Sequence, residues 1–308
     1  MTHRLQTRTL RPPDKIDLRL TLAPLQRGRA DPCMRFVPNG VWRATRTPMG
    51  AATTHVRASN GEITMRAWGP GAEWALEAFP ALVGTDDGVD SFVPRDPVVA
   101  GLHRRLQGLR ILCSGAVTEA LVPTILEQKV VGIDAKRSYA SLVRALGEGA
   151  PAPAREAASI GLMLPPAPAT LAATPSWAFH PFNVERRRAD TIRRACSYAG
   201  RLDETTTMPT ADAYRRLVAL PGLGPWTAAE VALVALGDAD AVSLGDYHLP
   251  HQVSFALAGE ARADDARMLE LLEPYRGQRG RVIRLVVNGA ASPPRFGPRM
   301  PLRSIATI

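Results

Sequence analysis

The chain has few cysteines and almost no lysines. Only three of its 308 residues are cysteines, and only three of its 38 basic residues are lysines. Cys33, Cys113 and Cys196 are odd in number and far apart, so they suggest neither a disulfide framework nor a metal-ligand spacing. Of the possible compartments, a reducing cytosol fits this cysteine usage best.

Long apolar runs are also missing. No stretch approaches the roughly 20 apolar residues that a membrane-spanning helix needs. Residues 1–13 are polar and basic, and they lack the apolar core of a signal peptide. We therefore expect a protein without a membrane partner and without an export signal.

Acidic residues are outnumbered by basic ones. Net charge is +9 and the isoelectric point is about 10.2. Such a balance favours a polyanionic partner, although charge informs on association and not on fold. With 308 residues and 45% apolar content, the chain can form one large domain or two ordinary ones.

The first third predicts a small antiparallel sheet with one helix. Apolar and polar residues alternate over 16–22, which predicts a half-buried strand. Turn signals at Pro38-Asn39-Gly40 and Asn60-Gly61 predict two hairpins. Their strands are predicted at 33–37 with 41–46 and at 53–58 with 62–68, and a helix at 72–82 with Trp74, Leu76 and Phe79 as core anchors.

The polar, acidic segment 84–91 marks a predicted domain boundary, after which the pattern becomes helical. Asp96 followed by Pro97 indicates a helix start. Residues 147–175 are rich in Pro and Ala and predict irregular structure with a short helix near 157–162. Further helices are predicted at 118–131, 133–146, 184–199, 248–257, 264–272 and 281–287.

This pattern predicts an α+β protein with three parts. Residues 1–90 form the N-terminal sheet domain with its helix, and residues 91–290 form a mostly α-helical domain. Residues 291–308 form a basic, Pro-rich tail with Arg295, Arg299 and Arg303. The tail is either solvated or an arm that contacts phosphates, and the sequence leaves both interpretations open.

The most specific stretch is Leu220-Pro-Gly-Leu-Gly-Pro-Trp-Thr-Ala228, which lies between two apolar-periodic segments. It predicts two helices joined by a tight turn, a helix-hairpin-helix. Glycine permits backbone geometry that a Cβ would obstruct, and Pro225 suits a first helical turn. Free N–H groups at such a turn can bind one phosphate. A plain helix–helix connection is the alternative.

The full string, followed by Gly245-Asp246-Tyr247, resembles the HhH-GPD superfamily of DNA glycosylases, and within it the AlkA type, 3-methyladenine DNA glycosylase II. The predicted N-terminal sheet resembles the β domain of that type. The resemblance implies that the hairpin contacts DNA. It also implies a contact by one side chain at the end of a neighbouring helix. The residues concerned are Gly222, Leu223, Gly224, Thr227 and Lys129.

The same resemblance implies that Asp246 is the catalytic aspartate. Breaking an N-glycosidic bond develops positive charge on the sugar, which a neighbouring carboxylate stabilises. The target base must first be flipped out of the duplex into a pocket. An Asp just before a helical segment is also a common N-cap, and both roles are compatible.

Trp226 bears on the reaction type. In superfamily members that also cut the DNA backbone, a lysine stands at this place and forms a Schiff base. None of the three lysines of this chain lies in the motif, so we expect a monofunctional hydrolase without lyase activity. The resemblance places Trp226 near the base pocket; packing within the hairpin is the alternative.

Further residues are predicted to bind the substrate. Tyr247 could stack on a flipped base, which its ring would favour if the base is cationic, or it could be a core tyrosine. Glu230, one turn after Trp226, replaces an aromatic residue of the family; it would favour a cationic base if it faces the pocket. By alignment with the family, Gln128 and Lys129 fall where a residue wedges into the duplex, and Tyr275 is expected to close the pocket.

No cofactor is expected. The iron–sulfur cysteine loop of some HhH-GPD glycosylases is absent from the sequence. His248 and His251 lie close to Asp246, but zinc requires more ligands at a better fixed spacing. A monovalent cation held by hairpin carbonyls is common in the superfamily and is possible here.

The function implied by the resemblance is the release of alkylated purines, such as 3-methyladenine, in base excision repair. The expected partner is double-stranded DNA containing damaged bases, and the expected state is a monomer in the cytoplasm, associated with the nucleoid. Two alternatives remain open. One is a glycosylase for deaminated or other modified bases, and the other is a non-catalytic DNA-binding protein.

Overall fold

The computed structural model describes residues 5–151, 161–294 and 305. Its N-terminal part is an antiparallel sheet with strand order β1-β5-β4-β3-β2, followed by a mostly helical part, and this confirms the predicted fold class. The strands are β1 Gln6–Leu10, β2 Met34–Val37, β3 Gly40–Thr47, β4 Gly50–Ser59 and β5 Glu62–Trp68.

Both predicted hairpins form. Strands β4 and β5 are joined by a two-residue turn, with Ser59 opposite Glu62. Asn60 and Gly61 have φ angles of 53° and 77°. A two-residue turn of this type needs positive φ at both positions, which Asn-Gly adopts at low cost. The local turn chemistry therefore specifies the register between β4 and β5.

The strand predicted at 16–22 is wrong. Residues Leu18–Leu22 form a short helix, α1, because the Asp17 carboxylate accepts the N–H groups of Arg19 and Leu20, each at 2.9 Å. This N-cap outweighs the alternating pattern. The missed edge strand is β1, whose residues are mostly exposed and show no apolar alternation.

The helix predicted at 72–82 is divided into α2 Ala72–Glu77 and α3 Phe79–Leu82. The division falls at Ala78, just before Pro80, which suits the first turn of a new helix. Phe79 is fully buried and Leu76 is buried, as expected for core anchors, whereas Trp74 is only partly buried. Both helices cover one face of the sheet.

The remaining described residues are mainly helical. A π-helical turn, Ala232–Leu236, continues α11, and two short strands, β6 Glu148–Gly149 and β7 Met163–Leu164, pair with each other. None of the described helices is long and apolar enough to cross a bilayer. The helices are α4 Pro97–Arg105, α5 Val117–Glu127, α6 Gly132–Leu146, α7 Pro168–Ala173, α8 Arg186–Ser197, α9 Ala199–Asp203, α10 Thr210–Val218, α11 Pro225–Val231, α12 Leu249–Ala258, α13 Asp265–Leu272 and α14 Arg279–Gly289.

The described residues form three apolar cores. One lies under the sheet, with buried residues from Ile16 to Val83. A second is built mainly from α5, α6, α8 and α11, and the third from α4, α12, α13 and α14. The chain passes from the second core to the third between α11 and α12, which places Asp246 where the two helical cores meet. The domain boundary at residue 90 remains a prediction that these cores favour.

Two predictions fall largely on parts of the chain that are not described. They are the short helix near 157–162 and the tail 291–308 with Arg295, Arg299 and Arg303.

Candidate functional site

The helix-hairpin-helix is formed by α10, residues 219–224 and α11. Gly222 has φ +98°, and a Cβ there would lie 2.5 Å from Thr191 Oγ1 on α8. Gly224 has an ordinary φ of −98°, and a Cβ there would meet nothing within 4 Å. Only the first glycine is therefore required by the backbone and by packing, because a side chain at Gly222 would be both strained and crowded.

The hairpin is held from two sides. Arg194 of α8 donates to the Pro221 carbonyl at 2.7 Å. From the end of α5, Gln128 Nε2 donates to the Gly222 carbonyl at 3.0 Å and to Thr227 Oγ1 at 2.9 Å. Gln128, predicted to touch substrate, thus lies against the hairpin and fixes the α5–α6 connection to it.

Lys129 follows Gln128 at the tip of this connection. It is exposed and has φ +55°, the left-handed region that a non-glycine residue seldom occupies. The turn therefore presents the lysine side chain to solvent beside the hairpin. This position is compatible with the predicted contact to DNA.

The start of α11 carries free backbone donors. Within the described residues, no acceptor takes the N–H groups of Gly224, Trp226 or Thr227, and α11 has no side-chain cap. The N–H of Leu223 instead donates to the Leu220 carbonyl at 3.0 Å. The side chains of Leu223 and Thr227 are buried, so any DNA contact by these two residues would involve their backbone.

Asp246 uses its two carboxylate oxygens differently. Oδ1 accepts the N–H groups of His248 at 2.8 Å and Leu249 at 2.9 Å and so caps α12. Oδ2 accepts the indole N–H of Trp226 at 3.1 Å. Asp246 thus caps α12 and also contacts Trp226. Three hydrogen bonds hold its carboxylate, and Oδ2 retains acceptor capacity.

The loop that carries Asp246 is anchored by a residue that sequence reasoning missed. Asp265 Oδ2 accepts the N–H of Gly245 at 2.7 Å, while Gly245 has φ +85°. Asp265 Oδ1 is buried without a hydrogen-bond partner among the described residues. The sequence signal was hidden because Asp264-Asp265 is also an ordinary helix start, and Asp264 does cap α13.

Glu230 does not point freely into solvent. It lies one turn after Trp226 on α11, is partly buried, and accepts the Ser243 hydroxyl hydrogen bond. Burial raises the pKa of the Glu230 carboxyl, and the negative charges of Glu127 and Asp246 add to that rise. The Ser243 hydrogen bond and the charge of Arg27 act in the opposite direction.

Arg284 of α14 is a second residue that sequence reasoning missed. Its Nη2 donates to the Leu20 carbonyl of α1 at 3.1 Å, so it joins the helical part to the N-terminal part. Burial lowers the pKa of Arg284 to about 10, and the negative charge of Glu230 opposes that fall. In the sequence of α14, Arg284 lies among apolar residues at a spacing that predicts a buried side chain, and this pattern could have identified it.

Tyr247 and Tyr275 have opposite environments. Tyr247 is 79% exposed and makes edge contacts with the rings of His248 and His251. Tyr275 is only 5% exposed, and its hydroxyl accepts the Arg95 N–H at 3.2 Å. Tyr247 is therefore available for stacking on a base. Tyr275 belongs to the third core, so its side chain has almost no exposed surface with which to close a base pocket.

No metal centre accompanies these residues. Across the part of the chain that the structure describes, no group of three or more His, Cys, Asp or Glu side chains could hold a metal ion. His251, one of the two histidines near Asp246, uses Nδ1 to accept the Ala263 N–H at 3.2 Å. This histidine therefore has a structural partner within the loop.

Comparison with known proteins gives fold relationships only. No protein-family model matches the chain, and a search of curated proteins finds no match. Among solved structures, a 3-methyladenine DNA-glycosylase from Archaeoglobus fulgidus is similar, with TM-score 0.74, 17% identity, and coverage of 91% of this chain and 97% of that chain.

Two further similar structures contain DNA by their descriptions. MBOgg1 in complex with a low affinity DNA ligand has TM-score 0.69 and 17% identity, covering 93% of this chain and 97% of that chain. The third structure is the Clostridium acetobutylicum 8-oxoguanine glycosylase/lyase in complex with double-stranded DNA containing cytosine opposite 8-oxoG. Its TM-score is 0.66 at 14% identity, and the match covers 93% of this chain and 97% of that chain. The chain therefore shares the fold of these structures over nearly its whole length.

Proposed function

We propose that this chain, which has the fold of HhH-GPD DNA glycosylases, is a monofunctional DNA glycosylase that hydrolyses the N-glycosidic bond of damaged purines. One observation carries the proposal: the Asp246 carboxylate accepts the Trp226 indole N–H at 3.1 Å, at the start of the second helix of the helix-hairpin-helix. The similar structure from Archaeoglobus fulgidus is named for 3-methyladenine, which makes alkylated purines the first candidates.

Asp246 would act on the sugar. As the C1′–N9 bond of a cationic alkylpurine breaks, its electron pair neutralises the base and leaves positive charge on the sugar. A fixed carboxylate stabilises that charge without reorganising. Water then adds to C1′, and its proton passes by way of the Asp246 carboxylate to solvent. Its bonds to His248, Leu249 and Trp226 keep the carboxylate in one orientation throughout.

The hairpin and its neighbours would bind the DNA backbone. The free N–H groups at the start of α11 suit one phosphate. Exposed Lys129 and the basic helix α8, whose Arg194 bonds the hairpin, extend positive charge on either side. Phosphate contacts release counterions, so we expect the affinity for double-stranded DNA to fall steeply with rising salt concentration.

We expect no lyase activity because a tryptophan, Trp226, stands in the hairpin motif. An amine is required for the Schiff base that leads to strand cleavage, and the chain's lysines are at positions 15, 129 and 136, outside the hairpin motif. Lys129, which follows Gln128 beside the hairpin, is the lysine to examine if strand breaks do appear.

The test is base release from methylated duplex DNA by wild type and Asp246→Asn, with and without later alkali. We expect release by wild type, strong loss in the variant, and strand breaks only after alkali. Breaks without alkali that disappear in Lys129→Ala would contradict the monofunctional assignment. An inactive wild type that still binds DNA would contradict the release of alkylated purines, and would leave a glycosylase for other bases or a non-catalytic DNA-binding protein.

A second candidate is release of deaminated or oxidised bases. It is favoured by the similarity to the Clostridium acetobutylicum enzyme, whose description names the oxidised base 8-oxoguanine. Duplexes containing hypoxanthine or 8-oxoguanine distinguish this candidate from the first.

A further inference from the structure

We infer that Arg187 of α8 binds one phosphate of the DNA backbone next to the hairpin, and that it is the arginine of α8 on which DNA affinity depends most. This inference rests on the proposed function in one respect, because it requires duplex DNA to lie on the hairpin. It does not require a damaged base, so it can be tested on undamaged DNA.

One face of α8 packs along the turn of the hairpin. Arg194 donates to the Pro221 carbonyl at 2.7 Å. One turn earlier in α8, Thr191 lies so close to Gly222 that a Cβ on this glycine would come within 2.5 Å of the threonine Oγ1. The turn therefore runs antiparallel to α8. Residues four and seven apart share a face of a helix, so Arg187 is the next residue on this face, toward the start of α8.

The end of α5 lies on the other side of Arg187. The adjacent Arg188 is buried, and its Nη1 donates to the Leu126 carbonyl at 2.8 Å. Two residues after Leu126, Gln128 donates to the Gly222 carbonyl at 3.0 Å. The start of α8, the end of α5 and the hairpin are thus bonded to one another, and Arg187 lies where the three meet.

The side chain of Arg187 is exposed and available to a ligand. Among the described residues, no carboxylate lies within ion-pair distance of its guanidinium, and its only hydrogen bond is made by its backbone carbonyl, which accepts the Thr191 hydroxyl at 2.9 Å. Side chains of a helix lean toward its N-terminus. The guanidinium therefore extends past the contact between Thr191 and the hairpin, where a DNA strand laid across the turn continues.

The neighbouring face of α8 has a different charge environment. Arg186 Nε lies 3.7 Å from the Asp190 carboxylate, and Arg193 Nη1 lies 3.6 Å from the same carboxylate. A DNA phosphate would have to compete with Asp190 for these two arginines, which offsets part of the electrostatic gain. Arg187 has no such counter-charge to lose.

A guanidinium suits a phosphate better than other basic groups do. Its planar fork can donate two parallel hydrogen bonds to two phosphate oxygens, whereas an ammonium acts as a point charge. A contact of this kind carries no base sequence information, so Arg187 contributes affinity and register on the duplex.

The experiment measures the affinity of the full-length protein for a labelled, undamaged duplex between about 50 and 200 mM salt. For Arg187→Gln we expect affinity to fall about tenfold at low salt, the effect of losing a charge-assisted hydrogen bond. The slope of log affinity against log salt concentration should become shallower by about 0.9, the value for one phosphate contact. Arg187→Lys keeps the charge, so it should keep the slope while losing part of the affinity.

Arg186→Gln is the matched control. It removes the same charge from the adjacent, equally exposed position, but from the face that pairs with Asp190, and it should leave the slope unchanged. Because both positions are exposed and glutamine is a good helix former, both variants should fold. Thermal unfolding of the two variants checks this.

Base release from methylated duplex DNA separates this inference from the proposed function. In Arg187→Gln the protein concentration that gives half-maximal release should rise with the loss of affinity. An unchanged slope in Arg187→Gln, or an equal change in Arg186→Gln, overturns the inference alone. A shallower slope specific to Arg187→Gln, with no base release by wild type, supports the inference and contradicts the proposed function. No binding of duplex DNA by wild type overturns both.

Discussion

Asp246 combines a structural role with the proposed catalytic one, and two substitutions separate them. Asparagine caps a helix about as well as aspartate, whereas alanine does not. We expect Asp246→Asn to lose base release by about 10²-fold or more with little change in stability. Asp246→Ala should lose about 1 kcal/mol of stability in addition. Single-turnover base release and thermal unfolding measure the two effects, and equal stability of the two variants would contradict the cap.

Glu230 gives a pH dependence of stability. Its pKa is raised in the folded protein, chiefly by burial. A raised carboxyl pKa means that the folded state binds the proton more tightly than the unfolded state, so this contribution to stability is present at low pH. It is lost as pH rises from the ordinary glutamate pKa, about 4.3, through the folded value.

Glu230→Gln removes this titration. We expect the free energy of unfolding of the variant to increase relative to that of the wild type between pH 4 and pH 8. Denaturant unfolding at several pH values measures it. The exposed Glu270 offers a matched control, Glu270→Gln, for the substitution of glutamate by glutamine itself. A constant or opposite difference for Glu230→Gln would contradict the burial of its carboxyl.

At the scale of elements, the hairpin is defined by the contact of its turn with α8. Gly222 has φ +98° and lies against Thr191, whereas Gly224 has neither constraint. We expect Gly222→Ala to cost at least about 1 kcal/mol of stability, because alanine is strained at positive φ, and to weaken DNA binding. Gly224→Ala, its matched control, should cost clearly less. Chemical denaturation and a binding titration at fixed salt test both, and similar costs would contradict this geometry.

The other elements of the site are joined to the hairpin by side chains from distant parts of the chain. Gln128 ties the end of α5 to the turn, and Asp265 at the start of α13 holds the Gly245 N–H. The proposed catalytic loop is thus braced by helices from both helical cores. This bracing is consistent with a site that must hold a carboxylate rigidly beside a flipped nucleotide.

Across the whole molecule, one buried ion pair links the segment after the sheet to the last helix. The side chains of Asp87 and Arg281 are each 1% exposed and lie 2.9 Å apart, and Asp87 also accepts the Ile111 N–H. Arg281 further donates to the Asp87 carbonyl. The pair therefore connects the predicted boundary region, residues 84–91, with α14 and with the residues before α5.

Asp87→Asn should destabilise the protein by about 3–5 kcal/mol, since removing one partner leaves a buried guanidinium without its counter-charge. Its neighbour Asp86 is exposed, so Asp86→Asn is the matched control and should change stability by less than about 0.5 kcal/mol. Thermal or urea unfolding gives both values. A small effect for Asp87→Asn would show that the region relaxes and admits water.

Several features followed from the sequence because they depend on a few neighbouring residues. The Asn60-Gly61 turn, the helix start at Asp96-Pro97 and the string from Leu220 to Ala228 are set by local backbone preferences and capping, which act within about four residues. Residues 16–22 were assigned wrongly because two local signals conflict there. Their alternating pattern fits a strand, but the Asp17 cap starts a helix.

Tertiary structure alone decided which distant side chains meet. Arg284 lies 264 positions from Leu20 along the chain, and its hydrogen bond to the Leu20 carbonyl depends on how α14 is placed against α1. Tyr275 was expected at the base and lies in a core, because the packing of α4 and α14 encloses it. Residue types and local spacing thus determined the hairpin and its aspartate. The environment that would select the base depends on contacts between helices far apart in the chain, which no local pattern encodes.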